Sequence, residues 1–187
     1  MKKFMFLFAA VMCLVSCSAK PEKVEISFNY TSQAGPGSNQ YAVWVEDADC
    51  NVVKTLFVTH FSVLGRSRNG EPAERGYRYR EPCVNRWIKN VDADSLSDAE
   101  LDAISGATPK SGLQSFSWDF TDQNGQVVPA GEYTVYVQAN LHDWTIKTFA
   151  CKVPKNAKAG VLEFTEDYQN ADEKYEGMIT DVKFEVK

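Results

Sequence analysis

Two histidines and five cysteines are all that this 187-residue chain offers for metal or thiol chemistry, and neither type clusters. There is no Cys-x-x-Cys pair and no joint Cys/His spacing, so no structural zinc site is expected. His60 and His142 lie far apart without a companion motif and read as ordinary strand or loop residues. The chain also lacks a Gly-x-Ser-x-Gly elbow, a His-Glu-x-x-His pair and a glycine-rich phosphate loop, so hydrolytic chemistry has no support. Positive charge is short as well: 20 Lys and Arg stand against 25 Asp and Glu, for a formal charge of −5. Neutralising phosphates needs a basic face, so no nucleic-acid partner is expected. Finally, no apolar run approaches the ~20 residues of a spanning helix; the longest runs only from Phe4 to Val15.

What is present begins with an address. Lys2 and Lys3, the short apolar run and a small-residue end form a secretory signal peptide over residues 1–16. Leu14-Val15-Ser16-Cys17 resembles the bacterial lipoprotein cleavage box. The resemblance implies cleavage before Cys17, lipidation of that residue and a tether over 17–23. The expected location is the bacterial cell envelope, lipid-anchored, periplasmic or outer-membrane. Several acyl chains at ~0.8 kcal/mol per buried CH₂ give stable anchoring where one chain is marginal. Loss of Lys2 and Lys3 takes the formal charge from −5 to −7, so the lipid and not electrostatics would hold the chain to a membrane. Cys50, Cys83 and Cys151 remain, an odd number that permits one disulfide and one leftover thiol in an oxidising compartment.

The 44% apolar and 12% aromatic content suits a globular core. Val24 to Tyr30 alternates apolar and polar residues, the period of a strand with one buried face. Tyr41 to Glu46 and Val52 to Thr59 read as a hairpin around an acidic tip. Leu113 to Phe120, Glu132 to Ala139, Thr145 to Val153, Val161 to Thr165 and Ile179 to Val186 bring the count to about eight strands. Between them, Pro82 to Asn90 starts a short helix, and Ser97 with Glu100 three residues on marks another. Gly106 and Pro109 stop it. Many short strands without strand-helix alternation predict a mainly β chain, an antiparallel β-sandwich with a short helical insertion. A single domain is expected over 24–187, with the insertion at about 65–112.

The insertion carries Arg66, Arg68, Arg75, Arg78 and Arg80 among Tyr77, Tyr79 and Trp87. One reading is a cationic, aromatic surface for an anionic ligand or a flavin, since arginine pairs with phosphate and stacks on flat rings. The other is a solvated loop that balances Glu71, Glu74 and Glu81.

Two resemblances add to this. Ser117-Trp118-Asp119-Phe120-Thr121-Asp122-Gln123-Asn124-Gly125 followed by Pro129-Ala130-Gly131-Glu132-Tyr133 resembles a hairpin of immunoglobulin-like domains in the flagellar hook-capping protein FlgD. It implies an immunoglobulin-like sandwich anchored by Trp118 and Tyr133. The usual glycine after Trp-Asp is Phe120 here, so a less sharply bent strand end is expected.

Asp102-Ala103-Ile104-Ser105-Gly106-Ala107-Thr108 resembles the Asp-x-x-(Ser/Thr)-Gly-Ala-Thr signature on which ApbE-type flavin transferases attach FMN. The resemblance implies a phosphoester between FMN and the Thr108 hydroxyl, a transferase as partner and a membrane redox protein as electron donor or acceptor. Ser105, Gly106 and Ala107 would keep the acceptor loop slender, and Asp102 would fix it by accepting backbone hydrogen bonds. The lipoprotein box, this motif and the Trp-Asp hairpin together resemble an uncharacterised family of predicted periplasmic proteins that accompany such transferases. Read without the resemblance, Ser105 to Pro109 is a helix-stopping loop with Gly106 at the C-terminal position. Two functions follow: an extracytoplasmic electron carrier with covalent FMN, or a non-catalytic binding or assembly module of the cell envelope.

Overall fold

The computed structural model describes residues 22–34, 39–67, 74–79, 83–142 and 145–187. The signal segment with Cys17, residues 35–38, and Arg68, Glu71, Arg80 and Glu81 of the arginine-rich stretch lie outside these residues.

Strands dominate and helices are few. The chain runs β1 (Val24–Tyr30), β2 (Gln40–Glu46), β3 (Val52–Thr59), α1 (His60–Leu64), α2 (Gly76–Tyr79), α3 (Asn85–Val91), α4 (Asp98–Ile104), β4 (Ser105–Gly106) and β5 (Gly112–Trp118). It continues with β6 (Glu132–His142), β7 (Thr145–Pro154), β8 (Gly160–Leu162), β9 (Thr165–Gln169), a 3-10 turn (Glu173–Met178) and β10 (Ile179–Val186). One sheet has four strands in the order β5-β1-β10-β8, the other six in the order β4-β3-β2-β6-β7-β9. Every pairing is antiparallel except the short one between β3 and β4.

The inner faces of the two sheets share one core. Ile26 and Phe28 of β1 and Phe184 of β10 meet Tyr41 and Val43 of β2, Val135 and Val137 of β6 and Phe149 of β7. The alternation read in β1 is the alternation observed, since Val24, Ile26, Phe28 and Tyr30 are the buried positions. β2 differs: all seven residues are buried, because the helices of the insertion cover its other face. There Ala42, Trp44 and Val58 pack with Trp87, Val84 and Leu101 in a second apolar cluster.

Polar side chains of the six-stranded sheet key this cover in place. Asn140 accepts from the Val84 amide and Gln138 from the Arg86 amide, so β6 satisfies the open end of α3. Thr55 accepts from the Trp87 indole at 2.9 Å. Arg86 and Asn90, one turn apart, both reach Glu46, which is 1% exposed.

Three expectations need correction. The single strand read over Val161 to Thr165 is two strands, β8 and β9, which belong to different sheets. The chain crosses between sheet edges at Phe164, whose ring seats against Phe149 and Phe184 at 5.9 and 5.6 Å. The one disulfide that the odd cysteine count permitted is not formed, and Cys50, Cys83 and Cys151 all remain thiols. Cys50 is exposed at the hairpin tip, while the two buried thiols belong to opposite faces of the six-stranded sheet, Cys151 to the inner core. Burial pushes the Cys151 thiol up to about 11.

The third concerns Phe120. The strand end is fully bent, because Phe120 itself takes the left-handed conformation, φ 57°. Its ring lies 4.5 Å from Trp118, whose indole donates to Thr121 O. Left-handed backbone costs an L-residue ~1–2 kcal/mol that glycine escapes, and the buried ring offsets this. Phe120→Gly is therefore expected to be about 1 kcal/mol more stable than Phe120→Ala, the reverse of the usual order. Urea unfolding of the pair checks it, and an Ala variant equal to or better than Gly would remove the strain argument.

The paired ends of β1 and β10 carry a pH dependence. Glu25 holds its carboxyl at about 2, lowered from 4.5 chiefly by its bond to Lys187 and then to Lys23. A depressed carboxyl stabilises the fold above its unfolded value, and that contribution disappears as pH falls through the folded one. Stability should decline between about pH 4.5 and 2, and less so in Glu25→Gln or in high salt. A Gln variant with an unchanged acid limb would count against it.

Candidate functional site

The Thr108 motif straddles three elements. Asp102 occupies the last turn of α4, Ser105 and Gly106 form β4, and Ala107 and Thr108 lie beyond it without regular structure. The helix begins as its sequence implies. Ser97 accepts from the Glu100 amide, and Glu100 accepts from the Ser97 amide at 2.8 Å, a capping box that also lowers the Glu100 carboxyl. Leu101 is buried against the outer face of the six-stranded sheet, so α4 is pinned in its middle.

β4 then aligns parallel to the end of β3, with Ser105 opposite Val58 and Gly106 opposite Thr59. Gly106 is neither a helix cap nor a left-handed residue; Ser105 caps α4. Its role is close approach, because a methyl group on Gly106 would sit 2.7 Å from Phe57 Cε2. Phe57 belongs to an aromatic cluster with Tyr41 at 5.0 Å and Phe116 at 5.5 Å. Glycine here lets the edge strand lie flat on a ring that cannot easily withdraw.

Among the described residues the Asp102 carboxylate accepts no backbone hydrogen bond, in contrast to the role expected from sequence. Its carboxylate instead faces His60, 3.8 Å from Nδ1, and forms an ion pair whenever the imidazole is protonated. A carboxylate in a helix's last turn meets the negative end of the dipole, which weakens the helix. His60 Nδ1 also lies 3.3 Å from Ser105 Oγ, and Ser105 Oγ donates a long bond to Asp102 O at 3.5 Å. His60 thus joins the motif across 45 residues of sequence. Its isolated position in the chain gave no sign of this; only the turn from β3 into α1 places it.

Past β4 the chain forms a short arch, Ala107 to Lys110, from one sheet to the other. The far foot is fixed: Ser111 Oγ accepts from the Ser32 amide at 2.8 Å, and Gly112 pairs with Tyr30. Between the feet Ala107, Thr108 and Lys110 are exposed. The Thr108 hydroxyl has no partner among the described residues, and the ladder ends two residues before it.

The arginine-rich loop is a different matter. Arg75 donates to Ala93 O, Leu96 O and Asp98, and Arg78 pairs with Asp94, which also accepts from Tyr77 OH at 2.7 Å. Arg78 and then Tyr77 hold the Asp94 carboxyl below its usual range. These two guanidiniums tie loop to loop. Trp87 is fully buried and presents no ring to solvent. Of the two readings of this segment, the charge-balancing one describes Arg75 and Arg78, with Asp98 and Asp94 as their acidic partners among the described residues.

Among the described residues no helix is long and apolar enough to cross a membrane. Nor is any group of three or more His, Cys, Asp or Glu residues placed to hold a metal ion. Fold and site together define a mainly β protein whose two sheets are bridged at one edge by an exposed, small-residue arch. The chain belongs to the family described as "Predicted periplasmic protein (DUF2271)", whose model matches residues 22–167. No curated protein and no solved structure matches it.

Proposed function

We propose that the chain is a membrane-tethered extracytoplasmic electron carrier with FMN esterified to Thr108. The observation that carries this reading is the exposed Thr108 hydroxyl, without a partner among the described residues, on an arch whose two feet are fixed. A transferase must enclose its acceptor, and exposed loops on rigid scaffolds suit that need. The residues present fit the attachment. Ala107 adds little bulk before the hydroxyl, Gly106 holds the arch on Phe57, and His60 and Asp102 steady its near foot. In the transfer Thr108 Oγ bonds to the flavin phosphate of a dinucleotide donor as its phosphoanhydride breaks. Nucleoside monophosphate leaves, and the hydroxyl proton passes to a base of the transferase. Once attached, FMN supplies the electron chemistry, and the protein supplies position and electrostatics.

Lipid on Cys17 would keep the carrier at the cell envelope, beside a membrane redox protein as exchange partner. The periplasmic character of the family supports that compartment. We infer further that the two sheets form an immunoglobulin-like sandwich. Support comes from Trp118 against Tyr133 at 5.2 Å and from Tyr133 OH, which donates to Pro129 O four residues upstream, as in a tyrosine corner.

The second reading, a FlgD-like binding or assembly module without FMN, draws on Leu113 and Val161, exposed apolar residues on the outermost strands of the four-stranded sheet. Intact mass of the chain produced with an active transferase separates the two. An FMN-sized gain that disappears in Thr108→Ala is expected. An unmodified mass beside a transferase that modifies its other substrates would leave the binding module.

A further inference from the structure

We propose that the groove between α4 and the open edge of β3 seats the isoalloxazine ring of the flavin held on Thr108, an inference that rests on Thr108 being the acceptor.

β4 covers only Val58 and Thr59 of β3. Further back along the same edge, the Asp122–Gly125 turn approaches, and Gln123 docks on the strand. Its amide donates to Val53 O at 3.0 Å, and its Oε1 accepts from the Thr55 amide at 2.9 Å. Between this turn and α4 lies a groove of about 480 Å³, within the range of small-molecule sites of ~300–1,000 Å³. Val53, Leu96, Ala103 and Ile104 give it an apolar lining, and Gln123 and Asn124 a polar one.

Three observations favour a flavin ring as occupant. The first is reach. Ile104 lines the groove and stands four residues before Thr108, so at most about 14 Å of extended chain separates them. The phosphate, five-carbon ribityl arm and tricyclic ring of FMN together exceed that distance. The second is the match of surfaces. The ring has an apolar dimethylbenzene edge and a pyrimidine edge with carbonyl acceptors, and the groove offers an apolar lining with two carboxamides. The third is an unused donor. Gln123 has its oxygen engaged by β3, while its Nε2 hydrogens have no partner among the described residues. Glu100, also in the lining, is already engaged by Ser97. The motif therefore does two jobs: its last residue takes the ester, and Ala103 and Ile104 form part of the seat.

The test uses the full chain loaded with FMN on Thr108, read by iodide quenching of flavin emission. The wild-type ring should be several-fold less accessible than free FMN. Ala103→Trp, which fills the groove, should return accessibility to that of free FMN, and Gln123→Ala should fall between. A loaded wild-type chain whose flavin quenches as readily as free FMN overturns the seat and leaves the acceptor standing. Absence of FMN mass on Thr108 removes the acceptor and the seat together. If Ala103→Trp does not fold, the wild-type value and Gln123→Ala decide.

Discussion

Glu46→Ala is expected to cost about 3–5 kcal/mol, the range for breaking a buried ion pair by removing one partner. Glu46 is 1% exposed and accepts four bonds: from Trp44 Nε1 at 2.8 Å, Asn90 Nδ2 at 2.8 Å, Arg86 Nε at 3.2 Å and Arg86 Nη2 at 2.6 Å. Arg86 also stacks over the Tyr136 ring at 4.3 Å, and Tyr136 lies flat against Trp44 at 5.0 Å. Truncation strands the fully buried Trp44 indole, at about 1–3 kcal/mol for an unmet buried donor, and removes the counter-charge of Arg86. The guanidinium is about one-third exposed and regains some water, so the lower half of the range is favoured. Glu46→Gln keeps an acceptor and should lose less. Urea midpoints at neutral pH measure both. An Ala variant within 1 kcal/mol of wild type (about a fivefold change in the folding constant) would mean that the helical cover does not depend on this network.

The second large effect is expected at Gly106. Gly106→Val places branched carbon where even one methyl would meet Phe57 Cε2 at 2.7 Å. Overpacking of this kind costs about 1–3 kcal/mol. Phe57 is held by Tyr41 and Phe116, so β4 is the element expected to yield. Loss of β4 releases the near foot of the arch, and under the proposed function FMN loading at Thr108 should fall along with stability. Phe57→Leu in the same chain should recover part of both, because residues in contact couple. Recovery of neither would show that glycine serves backbone conformation, not space.

The strands of this molecule are written locally. Val24 to Tyr30 declares its buried face by simple alternation, and β3 and β10 begin and end where their apolar runs do. The Ser97 box also sits within four residues, and it forms as read. What sequence did not reveal depends on partners far along the chain. Glu46 looks like the polar end of a strand until Arg86 and Asn90 fold over it, some 40 residues later. β4 is two residues long and exists because Phe57 and Val58 lie beside it, so no periodicity marks it. The place of His60 at the Thr108 motif has the same origin. Phe120 misled for another reason: its side chain argued against a sharp bend, and aromatic packing outweighed the backbone penalty.

β10 lies between β1 and β8, yet it falls wholly outside the stretch matched by the family. Trimming the polypeptide at residue 167 would therefore remove an inner rung of the smaller sheet. Ile26 and Phe28 would lose Phe184 from the shared interior, and β8 would have no neighbour to pair with. Such a fragment should expose apolar surface and clump, so recombinant boundaries for this protein belong after Val186.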